Sequence, residues 1–180
     1  LPVQNPWKNS HTTGGSSSGS AAVVAAGDVD MAIGCDQAGS IRIPSSFCGI
    51  VGMKPTFGLV PYSGVMPIEM TVDHAGPMTN NVENNALLLE VIAGADGLDP
   101  RQMGVPAPIE YTKSLDDNIE NLTIGVLKEG FSHPNSEEDV DQKVRNALAF
   151  FETAGAKIQE ISMPEHLSGV HVWTPIGVEG

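Results

Sequence analysis

The order strand–helix–strand between Leu122 and Ile161 leaves few folds open to this 180-residue chain. The segments NLTIGVLK and AKIQEISMP each have the composition of a strand. Between them, SEEDVDQKVRNALAFFETAGA predicts a helix, because apolar residues recur every three to four positions and acidic residues occupy its first turn. Two strands joined by a helix run parallel in one sheet, so this order predicts an α/β fold.

The first half of the chain predicts further short elements. SGSAAVVAAG predicts a helix that ends at Gly27, and DMAIGCD predicts a buried strand. A loop then turns into a second short helix, which tolerates Pro44 only in its first turn. Residues 54–78 are rich in glycine and proline and predict irregular structure. NNVENNALLLEVIAGADG predicts a helix capped by Asn80 or Asn81.

Charge and composition argue against several classes of partner. The chain has 9 basic and 22 acidic residues and a net charge of −13. Nucleic acids and anionic membranes attract clustered Lys and Arg, so we expect neither as a partner. No apolar run approaches the roughly 20 residues of a membrane span. Cys35 and Cys48 form no CxxC motif, which favours reduced thiols and a cytoplasmic protein, and the histidines lack metal-ligand spacing.

The run GGSSSGS, residues 14–20, is open to several interpretations. A flexible linker of this composition would not lead directly into an ordered apolar segment. A phosphate-binding loop would end in GK[ST], which is missing here. Residues 15–19 fit G-x-S-x-G with Ser17 at the centre, but the nucleophile elbow needs a buried strand before it. The polar stretch WKNSHTT precedes it instead, so we interpret this match as accidental.

A second cluster, GCDQAGSIRIPSSFCG, follows a predicted buried strand and opens a short helix. The backbone amides of residues 37–40 would converge in a tight turn of small residues, and converging N–H donors stabilise an oxyanion in acyl transfer. Gly39 has no side chain to keep a ligand away from the backbone. Ser40 is therefore a candidate nucleophile, although strand–helix junctions favour serine and glycine in any case.

Taken together, the two clusters resemble the amidase signature family of serine hydrolases. GGSSSGSAAVVAAG and GCDQAGSIRIPSSFCGIVGMKPT carry the resemblance, and the spacing between Ser16 and Ser40 fits the family. The likeness continues through residues 54–102 and is nearest to the bacterial amidases of nitrile metabolism. It implies a mixed β-sheet core covered by helices on both faces. Residues 1–180 would be a central fragment of one such amidase domain, with N-terminal and C-terminal parts missing.

The resemblance also implies roles for individual residues. Ser40 would be the nucleophile that forms the acyl-enzyme, and Ser16 would be the bridging serine, joined to Gly15 by a cis peptide bond. A buried, neutral lysine would accept the proton of Ser40 through Ser16. The oxyanion hole would consist of the backbone amides of Gln37, Ala38, Gly39 and Ser40, and the supporting residues would be Gly15, Ser17, Asp36 and Arg42.

For Asp36 and Arg42, two of these supporting residues, the sequence also suggests which interactions they make. Asp36 is expected to accept hydrogen bonds from turn amides or a nearby hydroxyl. Arg42 either binds a substrate carboxylate or forms an ion pair with Asp36, and we favour the ion pair.

The base and one cysteine depart from the family pattern. In the family the catalytic lysine lies far upstream of the bridging serine, whereas Lys8 is too close to it and Lys54 falls in a segment that does not supply the base. We therefore expect the lysine to lie outside this chain and the chain alone to be inactive. The family commonly has Gly or Thr in place of Cys35 and Gly in place of Ala38. We interpret Cys35 as a small buried residue rather than a second nucleophile, because no histidine is near it in sequence.

The resemblance implies an amidase that hydrolyses carboxylic acid amides to the acid and ammonia, without a cofactor or metal. Its partner would be a small-molecule amide, and we expect a homodimer. One alternative is the glutaminase (A-type) component of a tRNA-dependent amidotransferase. Another is a relative that keeps the fold but has lost the chemistry.

Overall fold

The computed structural model describes residues 2–115 and 119–179. The chain divides into two compact units at residue 115. We call residues 2–115 the first unit and residues 119–179 the second unit. No helix in these two ranges combines the length and apolar character that a membrane span requires.

A three-stranded antiparallel sheet forms the centre of the first unit. It contains β3 (Met31–Asp36), β4 (Val51–Gly52) and β5 (His74–Thr79), in the order β3-β5-β4. The register pairs Gly34 with Gly76 and Asp36 with His74. The prediction of irregular structure for residues 54–78 is therefore wrong at its end, where β5 begins and becomes the central strand.

Close backbone packing explains why β5 contains a glycine. A Cβ atom on Gly76 would collide with the carbonyl oxygen of Met53 and would lie 2.7 Å from Cδ of Pro55. Met53 also donates its amide to the carbonyl of Pro77 at 3.0 Å. The glycine that made the segment resemble a loop is therefore what lets the neighbouring chain approach the strand.

Three helices cover the sheet residues of the first unit, and all were predicted. Helix α1 (Ser18–Ala26) ends at Gly27, which has a left-handed backbone with φ 79°. Helix α2 (Arg42–Cys48) carries Pro44 in its first turn. Helix α3 (Val82–Ile92) is capped by Asn81, whose side chain accepts a hydrogen bond from the Asn84 amide at 2.7 Å. Asn81, and not Asn80, is therefore the cap.

Two clusters of buried apolar side chains form the core of the first unit. One contains Leu59, Val60, Tyr62, Ala75 and Leu89, and the other contains Ala21, Ile41, Cys48 and Met78. A hairpin of β1 (Gln4–Asn5) and β2 (Lys8–Thr12), which the sequence did not predict, precedes α1. Its Trp7 indole donates to the Cys48 carbonyl at 2.7 Å, which ties the hairpin to the end of α2.

The second unit has the predicted strand–helix–strand order. It contains β6 (Thr123–Leu127), α4 (Glu138–Thr153) and β7 (Lys157–Ile161), and β6 pairs with β7 in parallel. A further helix, α5 (Gly169–Glu179), follows in a stretch for which the sequence predicted no element. In the described residues of this unit, Ala156 alone is buried. The α/β class predicted from the sequence is confirmed.

Candidate active site

The turn that carries Ser40 begins where β3 ends and is built around the buried carboxylate of Asp36. Its Oδ1 accepts a hydrogen bond from the Gly39 amide at 2.6 Å, and its Oδ2 accepts one from the Ile41 amide at 3.1 Å. Arg42 donates to the same carboxylate through Nε and Nη2, each at 3.0 Å. Asp36 therefore bonds turn amides, and Arg42 forms the expected ion pair with it.

Opposing effects set the charge of Asp36. Burial by itself raises the pKa of this carboxyl, but hydrogen bonds from Arg42 and from the amides of Gly39 and Ile41 lower it by more. The net result is a pKa below the usual range for aspartate. Asp36 is therefore ionised at neutral pH and holds the second half of the turn.

Not every amide expected in the oxyanion hole is free. The Gly39 amide is donated to Asp36, which makes it the exception among the four. In residues 2–115, the amides of Gln37, Ala38 and Ser40 donate to no acceptor. Gly39 contributes its backbone conformation instead, since its φ is 131° and a Cβ atom would lie 2.6 Å from Cδ1 of Ile43. Three donors remain available, and their role stays a prediction.

The three consecutive serines have different hydrogen bonds. Ser17 Oγ donates to the Cys35 carbonyl at 3.2 Å and accepts from the Cys35 amide at 3.1 Å, so it fastens the loop to β3. Ser18 Oγ donates to the Gly14 carbonyl at 2.7 Å. The hydroxyl of Ser16, which is exposed, makes no hydrogen bond within the described chain. The peptide bond between Gly15 and Ser16 is cis, as the resemblance implied.

One backbone contact brings the two serine-rich segments together. The amide of Ser17 donates to the carbonyl of Ser40 at 3.2 Å, so Ser16 and Ser40 belong to adjoining loops. Ser40 is half-buried at the surface of the first unit. Among the described residues its hydroxyl has no hydrogen bond, either to Ser16 or to another group. The proton relay between the two hydroxyls therefore stays a prediction.

Lys54 lies near the same turn, whereas Lys8 is exposed on β2. The Lys54 ammonium donates to the Pro55 carbonyl at 3.0 Å. Burial lowers the pKa of Lys54, the positive charge of Arg42 lowers it further, and Asp36 partly compensates. Neither lysine donates to Ser16 within the described chain.

Two further residues lie next to the turn: Cys35 at the end of β3 and Tyr62. Cys35, which was expected to be buried, is only half-buried and packs against the apolar cluster that contains Tyr62. The Gln37 side chain donates to the Tyr62 hydroxyl at 3.2 Å. Tyr62 was not among the predicted site residues, because it lies in the stretch predicted to be irregular. In residues 2–115 and 119–179, no three His, Cys, Asp or Glu side chains are grouped so as to hold a metal ion.

Comparisons with known proteins find similar sequences along nearly the whole chain. A family model described as Amidase matches residues 1–179. An enantioselective amidase of Rhodococcus rhodochrous is 48% identical over 182 residues, which cover 99% of this chain and 35% of that protein. The A-type component of the Glutamyl-tRNA(Gln) amidotransferase of Methanosarcina acetivorans is 46% identical over 91% of this chain and 34% of its own length. This chain thus spans about a third of these curated relatives.

Solved structures are also similar to this chain along nearly its whole length. The A-type component of the Glutamyl-tRNA(Gln) amidotransferase of Thermotoga maritima has a TM-score of 0.92 and 36% identity, covering 98% of this chain and 38% of that one. The peptide amidase of Stenotrophomonas maltophilia has a TM-score of 0.84 and 37% identity, covering 92% of this chain and 34% of that one. The α/β arrangement described above is therefore a part of the fold of these proteins.

Proposed function

Because the chain belongs to the amidase family, we propose that the full-length protein hydrolyses carboxylic acid amides through an acyl-enzyme on Ser40. One observation carries the proposal: the Ser17–Ser40 backbone hydrogen bond joins two loops that present two hydroxyls and three backbone amides without a hydrogen bond to any described residue. These are the groups that acyl transfer to a serine requires. The acceptor of the serine proton, a lysine, would lie outside residues 1–180.

The reaction would proceed in two stages. Ser40 Oγ attacks the amide carbonyl while its proton passes through Ser16 to the lysine, and the turn amides stabilise the resulting oxyanion. The C–N bond then breaks, the proton passes to the nitrogen, and ammonia leaves. Water attacks the acyl-enzyme in the same way, and the carboxylic acid and the free serine are released.

Serine substitutions in the full-length enzyme test this assignment. Ser40→Ala should lower kcat by about 10⁴-fold or more, because it removes the nucleophile. Ser16→Ala should lower kcat by about 10²-fold or more without changing the folded structure. The control is Ser46→Ala, which alters an exposed serine on α2 and should leave kcat unchanged. Near-normal turnover by Ser16→Ala would show that the relay assignment is wrong.

A fluorophosphonate probe tests the nucleophile directly. The probe should label Ser40, and Ser40→Ala should abolish the labelling. Failure to label the intact enzyme would favour a relative that has kept the fold and lost the chemistry. The 180-residue chain alone should show no amide hydrolysis, and measurable turnover by it would contradict a base outside residues 1–180.

The choice of amide separates two candidate functions. The similarity to an enantioselective amidase favours a free amidase that acts on small amides. The similarity to the A-type component of the amidotransferases favours a glutaminase that passes ammonia to a partner. Hydrolysis of simple amides by the purified protein without a partner would support the first. Activity on glutamine that requires an added amidotransferase partner would support the second. A homodimer in the cytoplasm, without nucleic-acid or membrane partners, also stays a prediction.

A further inference from the structure

We propose that Tyr62 is a positioning residue for the candidate oxyanion turn and acts through the side chain of Gln37. This inference rests on the proposed function and adds a residue to it. Gln37 is the first residue after β3, and its Nε2 donates to the Tyr62 hydroxyl at 3.2 Å. Its backbone amide is one of the three that donate to no acceptor in the first unit.

The two halves of the turn are held in different ways. Asp36 bonds the amides of Gly39 and Ile41 and so fixes the second half. The amides of Gln37 and Ala38 lack such a bond in residues 2–115. The side-chain bond from Gln37 to Tyr62 therefore anchors the first half, where a donor for the oxyanion must keep its direction while charge develops.

Tyr62 is itself held firmly. Its side chain is almost entirely buried, with 7% of the residue exposed. Its backbone amide donates to Asp99 Oδ2 at 2.8 Å, and the guanidinium carbon of Arg101 lies 4.8 Å from the centre of its ring. Asp99 and Arg101 are bonded to each other, with Nη2 and Oδ2 2.6 Å apart, and both side chains are more than nine-tenths buried. A desolvated cation over an aromatic face attracts it more strongly than an exposed one.

The hydroxyl of Tyr62 remains protonated under working conditions. Burial is the main reason that its pKa is raised far above the usual tyrosine range, and neighbouring Cys35 contributes. A neutral hydroxyl accepts the Gln37 hydrogen bond at every pH at which the enzyme would operate. The anchor should therefore not switch with pH.

The matched pair Tyr62→Phe and Tyr111→Phe in the full-length enzyme tests the inference. Tyr62→Phe keeps the ring and removes only the hydroxyl, so kcat should fall by about 10- to 100-fold while KM and the melting temperature stay the same. Tyr111 is the other tyrosine of this chain, and within the described residues its hydroxyl makes no hydrogen bond. Tyr111→Phe should therefore leave kcat and KM unchanged.

A double-mutant cycle with Gln37→Met separates positioning from general stability. If Tyr62 acts through Gln37, the double variant should be no slower than the slower single variant. Additive losses, a normal kcat for Tyr62→Phe, or a loss that follows a lower melting temperature would each overturn the inference. If the wild-type enzyme hydrolyses no amide, the proposed function itself is wrong. If the wild type is active and Tyr62→Phe is normal, the positioning role alone is wrong.

Discussion

The first and second units have similar kinds of helices and strands but differ in how much they bury. The first unit closes around two clusters of buried apolar side chains, and all described site residues lie in it. The second unit has a regular parallel strand pair and a 16-residue helix, yet Ala156 is its only buried residue in the described part of the chain. A segment can therefore form regular helices and strands without burying many of its side chains.

Helices α3 and α4 show the difference most directly. Ala86 and Leu89 on the apolar stripe of α3 are buried. In α4, Val140, Val144 and Phe151 of the apolar stripe are exposed, and Leu148 is half-buried. The apolar period was clear in both segments, because it specifies which face of a helix is apolar and does not specify what covers that face.

Tryptophan fluorescence can report on each unit separately. Trp7 lies in the first unit and Trp173 in the second, and the chain has no other tryptophan. Trp173→Phe therefore leaves a fluorescence signal from the first unit alone, and Trp7→Phe leaves one from the second. Urea unfolding of these two variants of the 180-residue chain, followed by tryptophan fluorescence, gives a free energy of unfolding for each unit.

The largest difference between the two units in free energy of unfolding is expected when a strand glycine is replaced by alanine. Gly76→Ala in β5 places a methyl group against the carbonyl of Met53, and backbone cannot move aside as a side chain can. We expect a loss of about 3 kcal/mol or more in the free energy of unfolding of the first unit. In β6, the methyl group of Gly125→Ala would meet the Ile161 side chain, whose Cδ1 would lie 2.8 Å away and can rotate aside, so this change should cost less than about 1 kcal/mol. Equal losses would show that the two units are equally tightly packed.

The next largest difference between the units is expected when the acidic partner of an ion pair is neutralised. Asp36→Asn removes the charge that holds Arg42 and weakens the bonds to two turn amides, so we expect a loss of about 2 kcal/mol in the first unit. Lys128 and Glu160 form an exposed pair across 2.9 Å in the second unit. Glu160→Gln should leave urea unfolding of that unit unchanged. A comparable loss from Glu160→Gln would contradict the contrast.

Acid should weaken the first unit through its buried carboxylates. The pKa values of Asp36 and Asp99 are held below the usual aspartate range, mainly by Arg42 and turn amides in one case and by Arg101 in the other. Folding therefore favours the ionised forms, and their contribution is present above the unfolded pKa of about 4. It is lost as the pH falls through the lower folded pKa values. Urea midpoints measured from pH 6 down to pH 2 should show this decline, and it should be smaller in Asp36→Asn.

The smallest contrast concerns helix caps. Asn81→Ala removes the side-chain acceptor at the start of α3 and should cost about 1 kcal/mol. Glu137 occupies the same position before α4, but its side chain makes no capping hydrogen bond. Glu137→Ala should therefore leave the second unit unchanged in urea unfolding. A measurable loss would indicate that Glu137 supports α4 in another way.

Local rules predicted local features well. The end of α1, the capped start of α3, the parallel pairing of β6 with β7 and the turn after β3 all followed from residues close together in sequence. Strand β5 did not, because glycine and proline disfavour strands in general and the reason for Gly76 lies in the distant Met53 carbonyl. The contact between Gln37 and Tyr62 spans 25 positions, and no periodic pattern marks such a pair.

The run of Ser16, Ser17 and Ser18 has a consequence for anyone who redesigns this loop. In the described part of the chain the first hydroxyl makes no hydrogen bond, the second bonds to the Cys35 backbone, and the third donates to the Gly14 carbonyl. Deleting or inserting a single residue just before them would shift the run by one place, so that two hydroxyls would take over a neighbour's position and the third position would lose its serine. The three serines are thus not interchangeable, and the loop's length is as strict a requirement as its composition.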